Sequence, residues 1–172
     1  FTGKEAVLSG PAGGVVAVAQ LASPDHPQLI GFDMGGTSTD VCRYGGEFEY
    51  RHEVTTAGIA YHANMLQIET VAAGGGSILG FDGQRMTVGP ESAGASPGPV
   101  CYGQGGPLTI TDANLVLGRL LEATFPRQFG ADHQSSIDAD ASRQALQLRC
   151  DEINRATNTQ LSVEQVALGY LQ

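Results

Sequence analysis

Charge is scarce in this chain and one sign of it is scarcer: charged residues make up 16%, and 9 bases stand against 18 acids, for a formal charge of −9. A field of that sign repels phosphate backbones and anionic lipid at long range, which argues against nucleic acid and membrane as partners. No apolar run approaches the roughly 20 residues that cross a bilayer as a helix, and the opening residues have no signal-peptide pattern. Cysteine is limited to Cys42, Cys101 and Cys150. Three widely spaced cysteines make neither a disulfide framework nor a zinc pattern, so each reads as a small buried hydrophobe in a reducing, cytoplasmic setting. His26, His52, His62 and His133 lack ligand-like spacing, and none is assigned a metal.

The chain does have glycine: 24 residues, many in clusters beside apolar segments. Clusters at element ends mark tight turns or close approach of backbone to something else. A hydrophobic content of 41% over 172 residues fits one domain with a real core. The opening Phe1-Thr2-Gly3-Lys4 and the closing Gly169-Tyr170-Leu171-Gln172 both read as cut, so residues 1–172 are expected to be a single fragment truncated at both ends.

Ser9-Gly10-Pro11 followed by residues 12–22 predicts a helix capped by Ser9 or Gly10. Residues 29–33 predict a short buried strand and residues 38–44 a second. Gly45-Gly46 predicts a hairpin turn into a third strand at 47–55, whose alternation of Phe48, Tyr50, His52 and Val54 against four charged residues suggests one wet face. Residues 57–68 read as helical or irregular. Residues 71–81 read as a strand broken at Gly74-Gly75-Gly76-Ser77 and paired with 85–88 across Asp82-Gly83. A Pro/Gly/Ser-rich loop over 89–106 precedes a short helix at 112–120, capped by Thr111 or Asp112. Helices follow at about 138–156 and at 163–171, the last with a Ser162/Gln165 capping box. Three antiparallel strands leading into helices and further strands describe an α/β or α+β layer structure.

The strongest constellation is Asp33-Met34-Gly35-Gly36-Thr37-Ser38-Thr39-Asp40. Its glycines allow a tight turn with convergent N–H groups, a concave anion site to which Thr37, Ser38 and Thr39 add hydroxyl donors. Asp33 ends an apolar strand, where it can meet a metal ion or position a water for attack on phosphorus. Asp33 and Asp40 are the candidate catalytic carboxylates. An ordinary hairpin turn is the competing reading. In Gly74-Gly75-Gly76-Ser77 three glycines within a strand-like stretch point to close approach of a ligand or another segment, or to a plain bend. Glu91, in the small-residue loop, reads as a solvated carboxylate.

Taken together, Ser9-Gly10-Pro11-Ala12-Gly13-Gly14-Val15, Asp33 to Val41, Thr70 to Ser77, Val88 to Ala95 and Thr111 to Arg119 resemble the hydantoinase A/oxoprolinase family, in the family's order. The stretch from Phe125 to Gly130 resembles the 5-oxoprolinase branch. The resemblance implies half of an actin-like ATPase (ribonuclease H-like) domain, with three antiparallel strands leading a mixed sheet with flanking helices. It implies ATP with Mg2+ as cofactors, Asp33 holding the metal, and Gly35, Gly36, Thr37, Ser38, Thr39, Gly74, Gly75, Gly76 and Ser77 lining the nucleotide. The implied activity opens 5-oxo-L-proline to L-glutamate with cleavage of ATP to ADP and phosphate. The implied partners are the lactam, a ring-opening region or subunit, and a further copy of the protein. An N-methylhydantoinase, a ketone carboxylase ATPase subunit and a non-catalytic nucleotide-binding module remain as alternatives.

Overall fold

The computed structural model describes residues 9–22, 24–56 and 59–172. They form two compact units: Phe1–Met34 with Ser38–Val71, and Gly35–Thr37 with Ala72–Gln172.

In the first unit, helix α1 (Ser9–Leu21) lies on an antiparallel sheet of β1 (Leu29–Met34), β2 (Thr39–Tyr44) and β5 (Glu69–Val71), in the order β1-β2-β5. The helix already includes Ser9, so Ser9 and Gly10 belong to its first turn instead of capping it. Val15, Cys42 and Ile68 form a small core, with Val18 and Leu66 packed against it. Gly31 makes that packing possible: a Cβ there would sit 2.5 Å from Cys42 Sγ and 2.6 Å from Val18 Cγ2. The opposite face of β1 carries Ile30, Phe32 and Met34, all exposed.

Two expectations for this unit are corrected. The third strand of the sheet is β5, not the segment after Gly45-Gly46, because β2 pairs with Glu69–Val71 on the side away from β1. The segment after the glycines starts as β3 (Tyr50–Thr56) and pairs instead with β4 (Ile59–Leu66). That second strand lies in the stretch read as helical or irregular, whose residues 57–58 fall outside the described residues. Its Ala, Met and Leu are fair helix formers, but cross-strand pairing over the length of β3 overrides so weak a preference. Tyr50, Arg51, His52 and Glu53 are all exposed, so the expected alternation marks no buried face over these four residues.

In the second unit, β6 (Ser77–Phe81) and β7 (Met86–Ser92) form a hairpin. Its turn is the expected Asp82-Gly83: Gly83 takes φ 94°, and Asp82 Oδ1 accepts from the amides of Gln84 and Arg85. Those two amides hold the Asp82 carboxyl below its usual range. Helices α2 (Ile110–Val116), α3 (Ala139–Thr157) and α4 (Val163–Gly169) pack on one another and on the hairpin. Leu79, Leu146 and Val166 are fully buried at the centre, each contributing about 1.5–3 kcal/mol relative to exposure. Tyr170 closes the assembly by donating its hydroxyl to Gly80 O at 2.9 Å. A second cluster of Cys101, Leu115, Phe129 and Ile137 lies beside it.

Helix ends follow their caps. Asp138 Oδ1 accepts from Ala141 N, and Asn158 closes α3 in the left-handed region. Ser162 and Gln165 exchange the two hydrogen bonds of the expected capping box. The start of α2 is a correction: Thr109 is the N-cap and Asp112 is the third helical residue. None of the described helices is long and apolar enough to cross a membrane.

Candidate functional site

In the first unit, β1 and β2 place Asp33 directly opposite Asp40 in the ladder. Directly paired residues of an antiparallel ladder point to the same face, with Cβ atoms about 4.5–5.5 Å apart, and two carboxylates there repel unless something offsets their charge. Asp40 Oδ1 accepts from Thr70 Oγ1 at 2.6 Å. No described Lys or Arg pairs with either aspartate. Both line a pocket of about 180 Å3 between α1 and the sheet, with Pro11, Gly14 and Val15 on the helix side. Gly14 borders Asp33 without crowding it, since a Cβ at that position would lie 3.8 Å from Asp33 Oδ2, an ordinary contact. Two carboxylates with no described cationic partner fit a hard divalent cation such as Mg2+, which keeps several waters and needs only one or two protein carboxylates.

In the second unit, Gly35–Thr37 lies on Gly74–Gly76. Gly75 N donates to Gly35 O at 3.1 Å and Gly76 N to Gly36 O at 2.6 Å. The glycine triplet is required by this approach: a Cβ on Gly74 would lie 2.7 Å from Gly36 C and O, and one on Gly76 would lie 2.9 Å from Gly36 O. The close approach read from the sequence is therefore to another backbone segment. The amides of the triplet are also consumed, because Gly74 N donates to Ser77 Oγ, which is buried.

The orientation of the loop follows from peptide geometry. In a planar trans peptide the C=O of one residue and the N–H of the next point in opposite directions. With the carbonyls of Gly35 and Gly36 held on the triplet, the N–H groups of Gly36 and Thr37 turn to the other side. Both residues are exposed there, and neither amide has a partner among the described residues. Two adjacent outward amides without partners are donors that an anion could use. Gly36 and Thr37 also line an open cleft of about 700 Å3.

Asp112, which the sequence offers first as a helix cap and second, with Asn114, as part of a metal or nucleotide site, is instead a buried structural hub of this unit. Asp112 is fully buried and accepts five hydrogen bonds. Its Oδ1 takes those of Cys101 N at 2.9 Å and Ser142 Oγ at 2.7 Å. Its Oδ2 takes those of Val100 N at 3.2 Å, Thr109 N at 2.9 Å and Thr109 Oγ1 at 2.9 Å. The aspartate thereby fastens the 3-10 turn Val100–Tyr102 to α2 and α3, and Tyr102 of that turn lines the cleft. Burial, with the adjacent Asp112 carboxyl, pushes the Cys101 thiol up to about 12, so it stays protonated and unreactive. The spacing Thr109-x-x-Asp112 is itself a capping-box signal that sequence reasoning could have used. Cys42, Cys101 and Cys150 are all buried and free, as the small-hydrophobe reading expects.

A nucleotide-free structure of acetone carboxylase, from work on ATP-dependent acetone carboxylation, matches 96% of this chain and 22% of its own, with a TM-score of 0.74 and 28% identity. The fold is of the actin-like ATPase type, as the sequence implied. The 5-oxoprolinase PfmaA of Pestalotiopsis fici is 50% identical over 99% of this chain, and the 5-oxoprolinase of Saccharomyces cerevisiae is 48% identical over 100% of it. The sequence profile described as hydantoinase/oxoprolinase matches residues 1–172, and the chain belongs to that family. It spans about 14% of the length of each of those two relatives.

Proposed function

We propose that this chain supplies a phosphate loop to a longer ATP-dependent cyclic amide hydrolase that opens 5-oxo-L-proline to L-glutamate. The single observation that carries the reading is the pinned loop, whose Gly35 and Gly36 carbonyls are tied down and whose Gly36 and Thr37 amides are left open. The two 5-oxoprolinases near 50% identity support the substrate, and their greater lengths leave room for a ring-opening region.

The chemistry explains the need for ATP. A lactam carbonyl is a poor electrophile because nitrogen donates into it. Transfer of a phosphoryl group to its oxygen makes that oxygen part of a leaving group and the carbon open to water. One lactam, one ATP and two waters then balance as one glutamate, one ADP and one phosphate.

In this reading the amides of Gly36 and Thr37, with the Thr37 hydroxyl, hold phosphate oxygens, whereas Thr39 is buried and its hydroxyl is not available for that role. Gly74, Gly75, Gly76 and Ser77 act one step back, by holding the loop. Asp33 with Asp40 would hold Mg2+, whose positive charge when bound offsets that of the two carboxylates. Asp33 further orients the attacking group. Three unpaired, buried cysteines fit a cytoplasmic protein.

Asp33→Ala in the full-length protein is expected to abolish ATP cleavage while leaving the far-ultraviolet circular dichroism unchanged. Wild-type turnover in that variant would sink the assignment. The acetone carboxylase match favours one second reading, an ATPase subunit acting on a ketone. Titration with ATP–magnesium, with and without 5-oxoproline or acetone, separates the two by which compound stimulates ADP release. If neither does, a non-catalytic nucleotide module is the better description.

A further inference from the structure

We propose that the cleft of the second unit beside Gly36 and Thr37 seats the cyclic amide itself, with its reactive oxygen toward the loop. The inference rests on the ATP-dependent reading above and adds the location and recognition chemistry of the phosphoryl acceptor.

The cleft has the size of a small-molecule site, at about 700 Å3. One wall is aromatic: Tyr102 and Phe129 stand with ring centroids 4.5 Å apart and planes tilted by 40°. Phe125 backs Phe129 at 6.3 Å. Phe129 is buried and Tyr102 half-buried, so the wall is firm and offers an apolar surface to a flat ring.

The other walls are polar and uncharged at their core. Gln104 and Gln128 both line the cleft, and neither side chain bonds to another described residue. Each primary amide has a donor and an acceptor, as does the edge of a lactam, with its N–H and adjacent C=O. Ser96 adds a further hydroxyl. His133, which also lines the cleft, sits in the left-handed region at φ 54°. Asp132 stabilises that turn, its Oδ1 accepting from Gln134 N and Ser135 Oγ.

What the lining lacks separates the acceptor from the nucleotide. No Lys or Arg is present in it. A triphosphate chain running through the cleft would leave several negative charges without a cationic partner. A neutral amide edge meets no such obstacle. The phosphate loop borders the cleft only through Gly36 and Thr37, which puts the acceptor next to the terminal phosphoryl group. Transfer from that position is direct. The lactam oxygen forms a bond to the γ-phosphorus while the bond to the β,γ-bridging oxygen breaks, its electron pair leaving on ADP. The lactam becomes an O-phosphorylated iminium with its N–H proton in place, where a glutamine carbonyl can hold it.

The test uses the full-length protein with Gln104→Leu and Gln128→Leu, positions whose side chains carry no internal hydrogen bond to lose. The readouts are ATP–magnesium affinity by calorimetry, and KM and kcat for 5-oxo-L-proline by ADP release. Each variant is expected to raise the lactam KM about tenfold, the worth of one hydrogen bond, with ATP–magnesium affinity unchanged. For at least one of them, N-methyl-5-oxoproline, which lacks the donor, is expected to lose its disadvantage relative to the parent lactam. Weakened ATP binding with an unchanged lactam KM would overturn the proposal by giving the cleft to the nucleotide. Unchanged constants in both variants would overturn it by leaving the cleft unused. Absence of lactam-stimulated ADP release in the wild type is a different failure, that of the underlying hydrolase reading.

Discussion

Replacing Asp112 by asparagine removes one oxygen acceptor from a site that holds only donors. If the new NH2 group takes the place of Oδ1, it faces Cys101 N and Ser142 Oγ; in place of Oδ2 it faces Val100 N, Thr109 N and Thr109 Oγ1. The serine and threonine hydroxyls can rotate to accept from it. A backbone N–H cannot, so at least one buried amide loses its partner, at a cost of about 1–3 kcal/mol. The remaining hydrogen bonds to a neutral amide are also weaker than those to a carboxylate, which brings the expected loss to about 2–4 kcal/mol. With a urea slope of roughly 2 kcal/mol/M for a unit of this size, the unfolding midpoint should fall by about 1–2 M. Far-ultraviolet circular dichroism of the full-length protein would follow it, alongside labelling of Cys101 by a thiol reagent, which should become faster as the turn loosens. Ser142→Ala should cost only about 1 kcal/mol. A midpoint that moves by less than about 0.3 M in Asp112→Asn would refute the argument that this carboxylate organises the second unit.

Two further predictions follow from the same geometry. Gly74→Ala drives a methyl group into the backbone of Gly36 and should break the two hydrogen bonds that pin the loop, a loss of about 1–3 kcal/mol with weaker ATP–magnesium binding; Gly45→Ala, which meets open space, is the control, and equal stability of the two variants in urea would contradict the packing argument. The thiol of Cys101 and the hydroxyl of Tyr170 are both pushed up to about 12 by burial, so the native state holds protons that the unfolded chain gives up from about pH 9 and pH 10 respectively. Stability contributed by these groups is complete below pH 9 and should decline as pH rises toward 12, with a shallower decline in Cys101→Ala measured by urea titration across that range.

How much of this was legible beforehand depends on how far apart the interacting residues lie. Ser162 with Gln165 and Asp82 with Gly83 are neighbours within one turn, and both were read correctly from local spacing; the Asp138 cap on Ala141 is as local but was not read. The two strands flanking the glycine-rich turn were legible for the same reason, whereas the register that sets Asp33 opposite Asp40 came from the folded chain. The family blocks extended that legibility to the fold type, which composition and periodicity would not have selected.

The tertiary structure decided the rest, and the reason is physical. Strand pairing is a choice among edges, and β2 takes Glu69–Val71 in preference to its sequence neighbour because pairing depends on cross-strand packing more than on intrinsic preference. Asp112 looked like a helix cap until residues 11 and 30 positions away were seen to donate into it. The role of Gly74–Gly76 likewise depended on Gly35 and Gly36, nearly forty residues earlier in the chain, lying against them. Sequence alone determined which residues could bend, cap or carry charge. Only the folded chain determined which amides are consumed by packing and which, at Gly36 and Thr37, remain open for an anion.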